Sequence, residues 1–424
     1  VSYRKSKVWP ALFVTGALSF TAACGGDDGG SGDGKVTLRV SWWGETERHE
    51  MTEEAIKVFE KQNKDITIES EYSDWDAYYD QLTTKTAAGD APDVFAIEIR
   101  ALGEYARNGQ LADLAGLVPT DDLDEKLLTS GEVDGTQYAI PTGANAFAVM
   151  ANTAVFEDAG VGLPDDSAWT WEDYQSLSAE VTGSGGDIYG TQLNFNDAYL
   201  RMFAAQRGES FYEGDGLGVS AETVAAWFQT HLDMIDAKGS PSADRSNELG
   251  ATDIEQSLIA TNKGAMGMWW SNQLSAASVG SGEEIKLLQI PRDPSADSSE
   301  MFLQPAMFWA ASSKGGNQEA AGKLIDFLVN DPRAGEILGS DRGLPMNDTV
   351  LKEIEGGLPA ADKASLDFIN GIRDELADPP SAYPDGAVEI PDMLERYGQE
   401  VISGQQSPEE AAQAFLDEAD GALG

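Results

Sequence analysis

Two tryptophan doublets offer the most telling chemistry in this chain. In "KVTLRVSWWGETERHE", residues 35–50, Val36, Leu38, Val40 and Trp42 share one face of an alternating segment. Trp43 lies on the other face, where the segment runs out into a polar loop. "GAMGMWWSNQLSA" repeats the arrangement at Trp269 and Trp270, ahead of Ser271, which is expected to cap a short helix. An indole face accepts flat apolar surface, while carboxylates, amides and guanidinium groups nearby pair with hydroxyls. That combination suits reversible binding of a ring that is apolar on its faces and polar at its rim.

Covalent chemistry has far less to recommend it. The chain contains no G-x-S-x-G, no G-x-x-x-x-G-K-[ST] and no H-E-x-x-H. "GDGLG" at 214–218 lacks the third glycine and the strand–helix setting of a dinucleotide site. Carboxylates are so numerous that sequence alone singles out no glycosidase-type acid pair. His49 and His231 lie far apart and neither neighbours the single cysteine, Cys24, so a His/Cys zinc site is not expected. No catalytic residue, metal or cofactor is therefore assigned. The 28 Lys and Arg face 73 Asp and Glu, a net charge of −45, which repels nucleic acid and anionic headgroups and makes nucleic acid an unexpected partner.

The elements that must position these residues follow a regular rhythm. Strand 36–43 gives way to helical spacing at Met51, Ala55, Val58 and Phe59. "DITIES" alternates as a second strand, "DWDAYYDQLTTKTAAG" reads as a helix ending near Gly89, "PDVFAI" as a third strand, and "ALGEYARNG" as a helix closed by Gly109. This alternation predicts an α/β layer structure with a largely parallel sheet. After Gly131, "DGTQYAIPTGANAFAVMAN" reads as a turn and two short strands joined through Pro141-Thr142-Gly143. Thr170, with Asp173 three residues on, and Ser220 open two helices. "EIKLLQIP" and "PAMFWAASS" are further strands, and from Gln318 the pattern is mostly helical, broken at Gly343-Leu344-Pro345. With 424 residues, two lobes are expected rather than one core.

The N-terminus reads as an address. Arg4, Lys5 and Lys7 precede the uncharged apolar stretch 8–20, then Thr21, Ala22, Ala23 and Cys24, the plan of a signal peptide over residues 1–23. Val1 is expected to reflect a GTG start translated as methionine. "LSFTAAC" resembles a bacterial lipobox, departing from it at Thr21, where leucine is usual. The resemblance implies that Cys24 is diacylated and becomes the mature N-terminus. "GGDDGGSGDG", residues 25–34, holds only Gly, Asp and Ser, so it suits a flexible tether, and 24–35 is assigned as lipidated cysteine plus tether. An acylated anchor holds such a protein stably at a membrane surface.

"TLRVSWWGETERHEMTEEAIKVFEKQNKDITIESEYSDWDAYYDQLTTKTAAGDAPDVFAI" resembles the start of the mature body of family 1 extracellular solute-binding proteins, the carbohydrate-type receptors of ABC importers. The resemblance continues in order through "EYARNGQLADL", "GTQYAIPTGANAFAVMANTAVFEDAGV", "WTWEDY", "KLIDFLVNDPRAGEILG", "RGLPMN" and "SPEEAAQAFLDEAD". It implies a two-lobed, type II periplasmic-binding-protein-like α/β fold whose lobes close on ligand by a hinge. Crossings at Pro141–Gly143, near Met301–Gln304 and at Gly343–Pro345 would give an N-lobe of 36–143 plus 302–345. The C-lobe would be 144–301 plus 346–424. It also implies a non-enzymatic monomer, lipid-anchored on the extracellular face of the cell membrane, that passes a carbohydrate ligand to permease subunits.

Read as a sugar cleft, the sequence nominates ten residues. Trp42 is assigned to the core and Trp43 to the cleft. Glu45 follows the glycine at a place where maltose-type receptors contact sugar, with a solvated first-turn acid as the alternative. Asp74 is either a ligand residue or an N-cap. Glu98 follows the third strand, at the strand end where open α/β sheets bind ligands. Asn145 follows the first crossing, with a turn asparagine as the alternative. Asn194 and Tyr199 come from "NFNDAYLRMFAA", where the resemblance favours Tyr199 as a stacking residue. Trp269 and Trp270 should divide between core and cleft, with Trp270 favoured for the cleft. Arg342 would donate to hydroxyls or a uronic carboxylate, or else form a surface ion pair. A surface polysaccharide-active enzyme and a same-fold receptor for a polyamine or polyol phosphate remain as rival readings.

Overall fold

A computed structural model describes residues 35–423; the predicted leader, Cys24 and the tether to residue 34 lie outside the described residues. One eight-stranded sheet organises the chain from Val36 onward. Its strands are β1 (Val36–Trp43), β2 (Ile66–Ser73), β3 (Val94–Ile97), β4 (Ala139–Asn152), β5 (Tyr189–Thr191), β6 (Gly264–Trp270), β7 (Ile285–Leu288) and β8 (Leu303–Ala311). They lie in the order β2-β1-β3-β8-β4-β6-β5, with β7 also pairing β4. Helices α1 (Thr46–Gln62), α2 (Trp75–Ala87) and α3 (Ile99–Arg107) follow β1, β2 and β3 in turn.

Pairing is parallel for β1 with β2, β1 with β3, and β6 with β5. It is antiparallel for β8 with β3 and β4, and for β6 and β7 with β4. The sheet is thus mixed, not largely parallel as the element rhythm suggested. The antiparallel pairs arise where chain segments distant in sequence return beside β4, and local periodicity carries no record of that return.

A second expectation fails at Pro141. Instead of two short strands there is one 14-residue strand, β4. Proline lacks an N–H and is usually confined to strand edges or bulges. Here the first half of β4, residues 139–146, has β8 as its one strand neighbour, touches Leu344 besides through Ala144, and carries Pro141 opposite Phe308 at one of two register shifts on either side of Met307. The second half pairs with β6 and β7. β4 is consequently the one strand shared by both halves of the sheet.

At the change of partner the backbones come very close. The Ala144 N–H donates to the Leu344 carbonyl at 2.9 Å, and the Leu344 N–H donates back at 3.2 Å. A Cβ at Gly143 would stand 2.6 Å from the carbonyl oxygens of both Arg342 and Gly343, so only glycine fits. Two of the predicted crossings, at 141–143 and 343–345, therefore touch each other directly.

The helix starts form as their sequences direct. Thr170 and Asp173 make a full capping box: Thr170 Oγ1 accepts the Asp173 N–H at 3.2 Å, and Asp173 Oδ2 accepts the Thr170 N–H at 2.9 Å. Ser220 caps Ala221–Asp236 by accepting from the Thr223 N–H. Ser271 does not cap. Its Oγ accepts the Ala146 N–H at 3.2 Å, which ties the end of β6 to the middle of β4.

Candidate ligand cavity

The carboxyl ends of β1, β3 and β6 and the middle of β4 converge on a cavity of about 230 Å³. Ligands in open α/β sheets collect at such strand ends because the loops there diverge. One wall carries Trp43, Arg48, Glu98 and Arg100; the other carries Trp270 and Asn272; the floor is Asn145 with Gln304, Pro305 and Met307. Gln304 pairs with Asn145 in the β8–β4 register, and the local register shift in β8 places its neighbours along the floor. Sequence reasoning nominated Trp43, Glu98, Asn145 and Trp270, and the fold brings those four together.

Each doublet is divided by strand alternation. Trp42 is fully buried and its Nε1 donates to His49 Nδ1 at 3.1 Å. Trp43, 7% exposed, turns its ring toward Tyr78 and Tyr79 and lines the cavity. Across the cavity Trp270 is half-buried and meets Phe147 edge-on at 5.3 Å. Trp269 instead packs with Met150, Ile259 and Leu274 and lies over Gly267, where a Cβ would meet its ring at 2.3 Å. Trp269 faces a separate cavity with Asn194 and Phe195.

The remaining nominees stand elsewhere. Glu45 is exposed at the N-cap position of α1, outside the cavity lining. Asp74 caps α2, accepting the Ala77 N–H at 3.0 Å. Asn194 is spent on backbone partners: its Nδ2 donates to the Met268 carbonyl of β6 at 2.8 Å and its Oδ1 accepts the Asn196 N–H at 2.7 Å. Tyr199 stacks on Trp171 at 5.0 Å and lines a second cavity, of about 190 Å³, with Trp171, Tyr174, His231 and Met268. The reason is helical spacing along Asp197–Ala205: Asp197 and Arg201 share one face, four residues apart, and Tyr199 lies on another. Arg342 is buried, not at the surface. It donates to Thr52 Oγ1 at 2.7 Å, pairs with Asp341 at 3.2 Å, and burial pushes its guanidinium down to about 9 against the pull of Asp341.

Arg48, Arg100, Asn272 and Gln304 were missed. Arg48 is mated, its Nε donating to Asp341 Oδ2 at 2.7 Å. Arg100 differs: its nitrogens come no nearer than 3.6 Å to Glu98 and to Asp197, too far for hydrogen bonds, so its donors are free to face a ligand. Burial alone would lower its pKa, but the Asp197 and Glu98 carboxylates outweigh that and hold it above the ordinary arginine value. The position had a signal, since Arg100 stands two residues past Glu98 at the same strand end. Behind it, Arg201 is 8% exposed, stacks 4.1 Å over the Tyr383 ring, and has Nε and Nη2 without hydrogen-bond partners. The Tyr383 hydroxyl donates to Gln304 Oε1 at 3.1 Å, which connects this buried arginine to the cavity floor.

No group of three or more His, Cys, Asp or Glu side chains is disposed to hold a metal among the described residues. Nor is any helix among them long and apolar enough to cross a membrane. The arrangement offers aromatic faces, a free guanidinium, three amides and one carboxylate, a set suited to polar rings.

Known proteins of one family resemble this chain in sequence and fold. A family model described as bacterial extracellular solute-binding protein matches residues 43–333. The diacetylchitobiose binding protein DasA of Streptomyces coelicolor is 25% identical over 84% of this chain and 85% of its own length. An uncharacterized lipoprotein of Streptomyces antibioticus, encoded in the oleD 5′ region, is 26% identical over 82% of this chain and 78% of its own. Among solved structures, a periplasmic oligogalacturonide binding protein from Yersinia enterocolitica, in complex with saturated digalacturonic acid, superposes with a TM-score of 0.79. That match spans 92% of this chain and 99% of the other at 23% identity, and it carries the α/β solute-binding-protein fold across.

Proposed function

This chain belongs to the bacterial extracellular solute-binding protein family, and we propose that it is the carbohydrate receptor of an ABC importer, anchored outside the cell through a diacylated Cys24. The observation that carries this reading is the pair of indoles, Trp43 and Trp270, lining one polar cavity from different strands. A sugar ring needs apolar faces above and below and donors and acceptors around its edge, and the cavity supplies both. The names of DasA and of the Yersinia protein, each tied to a saccharide, support the same class of ligand. The Streptomyces antibioticus lipoprotein supports the anchor.

In this reading the chain forms two lobes, 36–143 with 302–345 and 144–301 with 346–424, hinged where β4 and β8 cross between them. Closure brings Trp43, Glu98 and Arg100 against Trp270 and Asn272. The closed form presents the monomer to permease subunits, which accept the sugar without covalent change.

A thermal-shift screen over neutral, acidic and amino sugars, polyamines and polyol phosphates tests the proposal. A ligand that binds only the folded state raises Tm by mass action. Saccharide hits are expected. Polyamine hits with silent sugars would replace the ligand class, and sustained release of new reducing ends from oligosaccharides would replace the receptor with an enzyme.

A further inference from the structure

The cavity of about 190 Å³ at Tyr199 shares no lining residue with the cavity of Trp43 and Trp270. It lies between the helices Trp171–Gly183 and Ala221–Asp236, over Thr191 of β5 and Met268 of β6. Trp171, Tyr174 and Tyr199 wall it together with His231, Met234 and Met268. Most of its interior polar atoms are engaged. The Tyr174 hydroxyl pairs with Thr191 Oγ1 at 2.5 Å, and Trp171 Nε1 donates to Gln206 Oε1 at 2.9 Å. The His231 ring nitrogens stand 2.9 and 3.0 Å from the Trp227 and Asn194 carbonyls. The Tyr199 hydroxyl keeps capacity, since Thr230 Oγ1 is 3.5 Å away, at the limit of a hydrogen bond. A hydroxyl-rich ring would leave its groups unpaired here, whereas an apolar ring would not. About 150 Å³ of apolar cavity is enough to hold a benzene ring, and methionine adapts its shape to aromatic neighbours. The mouth differs in character. Glu172 and Asp233, one from each helix, stand exposed there, and no lysine or arginine lines the cavity. Gln175 Nε2 ties the two helices together by donating to the Asp233 carbonyl at 2.9 Å.

We propose that this cavity is a second ligand site, separate from the one at Trp43 and Trp270, and that it takes a flat aromatic amine. The ring enters among Trp171, Tyr199 and the two methionines. The ammonium group stays at the mouth with Glu172 and Asp233, where the carboxylates and the nearby aromatic rings both favour a cation. The same carboxylates repel an anion of equal size. The Tyr199 hydroxyl is placed to accept a ring N–H. This site stands on its own residues and does not depend on the carbohydrate reading.

Calorimetric titration of the whole folded chain with tryptamine, indole and indoleacetate tests this. Tryptamine should bind one-to-one, indole about fivefold more weakly, and indoleacetate more weakly still. Glu172→Gln combined with Asp233→Asn should bring tryptamine down to the affinity of indole and leave indole unchanged within about twofold. Both positions are exposed, so Tm should stay close to wild type. Thr230→Phe, which puts a ring into the cavity from a half-buried helix position, should weaken tryptamine and indole at least about tenfold. The paired charge variant decides the matter should Thr230→Phe fold poorly. No heat from any of the three compounds overturns the site, as does indoleacetate binding as tightly as tryptamine. Tryptamine affinity that the paired charge variant leaves unaltered overturns it too.

Discussion

Trp43 and Trp270 face one cavity from different strands of the same sheet, while Trp42 and Trp269, their immediate neighbours, are committed to packing. The two doublets thus have the same construction. In each, strand alternation turns the first indole into packing and brings the second to the cavity.

This division predicts opposite outcomes for adjacent substitutions. Trp42→Ala and Trp269→Ala should each lower the free energy of unfolding by ~3–5 kcal/mol, measured by urea denaturation. Trp270→Ala should lower it far less, since that ring is half-buried, and should weaken ligand binding instead. A stable Trp269→Ala with lost binding would mean that the faces are assigned backwards.

Arg100 is expected to touch ligand. Arg100→Gln should weaken binding and flatten its salt dependence, with a lowered Tm as well, because Asp197 is buried and would lose one of its two arginine neighbours. Unchanged affinity would make Arg100 a structural link between α3 and the Asp197–Ala205 helix alone.

Gly143→Ala tests the crossing. The added methyl would press on the carbonyls of Arg342 and Gly343, and destabilisation of about 1–3 kcal/mol is expected from overpacking. Because the clash lies where β4 meets the 343–345 segment, affinity should fall as well. An unaffected denaturation midpoint would show that this approach relaxes freely.

The pH dependence between 7.5 and 5 should report the two histidines, the chain's whole complement. Burial holds His231 below the ordinary imidazole value, against the opposing pull of the Trp227 and Asn194 carbonyls. His49 is lowered by burial and then by Arg48. Both native pKa values thus lie below the unfolded one, about 6.5. The unfolded chain takes up protons first, so this contribution is fully present above about pH 6.5 and is lost as pH falls through the native values. His231→Gln should flatten that slope in Tm against pH. An equal slope in the variant would remove His231 from the account.

Much of this was readable in the sequence because it is local. Alternation along 36–43 separates Trp42 from Trp43 with no tertiary information, and Glu98 sits at a strand end that its own flanks define. What failed needed the third dimension. Nothing near Pro141 says that β4 has one neighbour there, and Arg342 is buried by α1 residue Thr52, which lies far away in sequence. Tyr199 was placed by resemblance, while the helical spacing of Asp197 and Arg201 turns it toward Trp171. Gln304 is a functional candidate only because distant segments meet, whereas Arg100, two residues past Glu98, carried a local signal.

The most direct test of the central claim is calorimetric titration of wild type and Trp270→Ala with the saccharide that most raises Tm. The account predicts saturable one-to-one binding by the wild type and a loss of at least about tenfold, ~1.4 kcal/mol, in the variant at unchanged stoichiometry. Equal affinity in both proteins, or heat from a polyamine where every saccharide gives none, would contradict it.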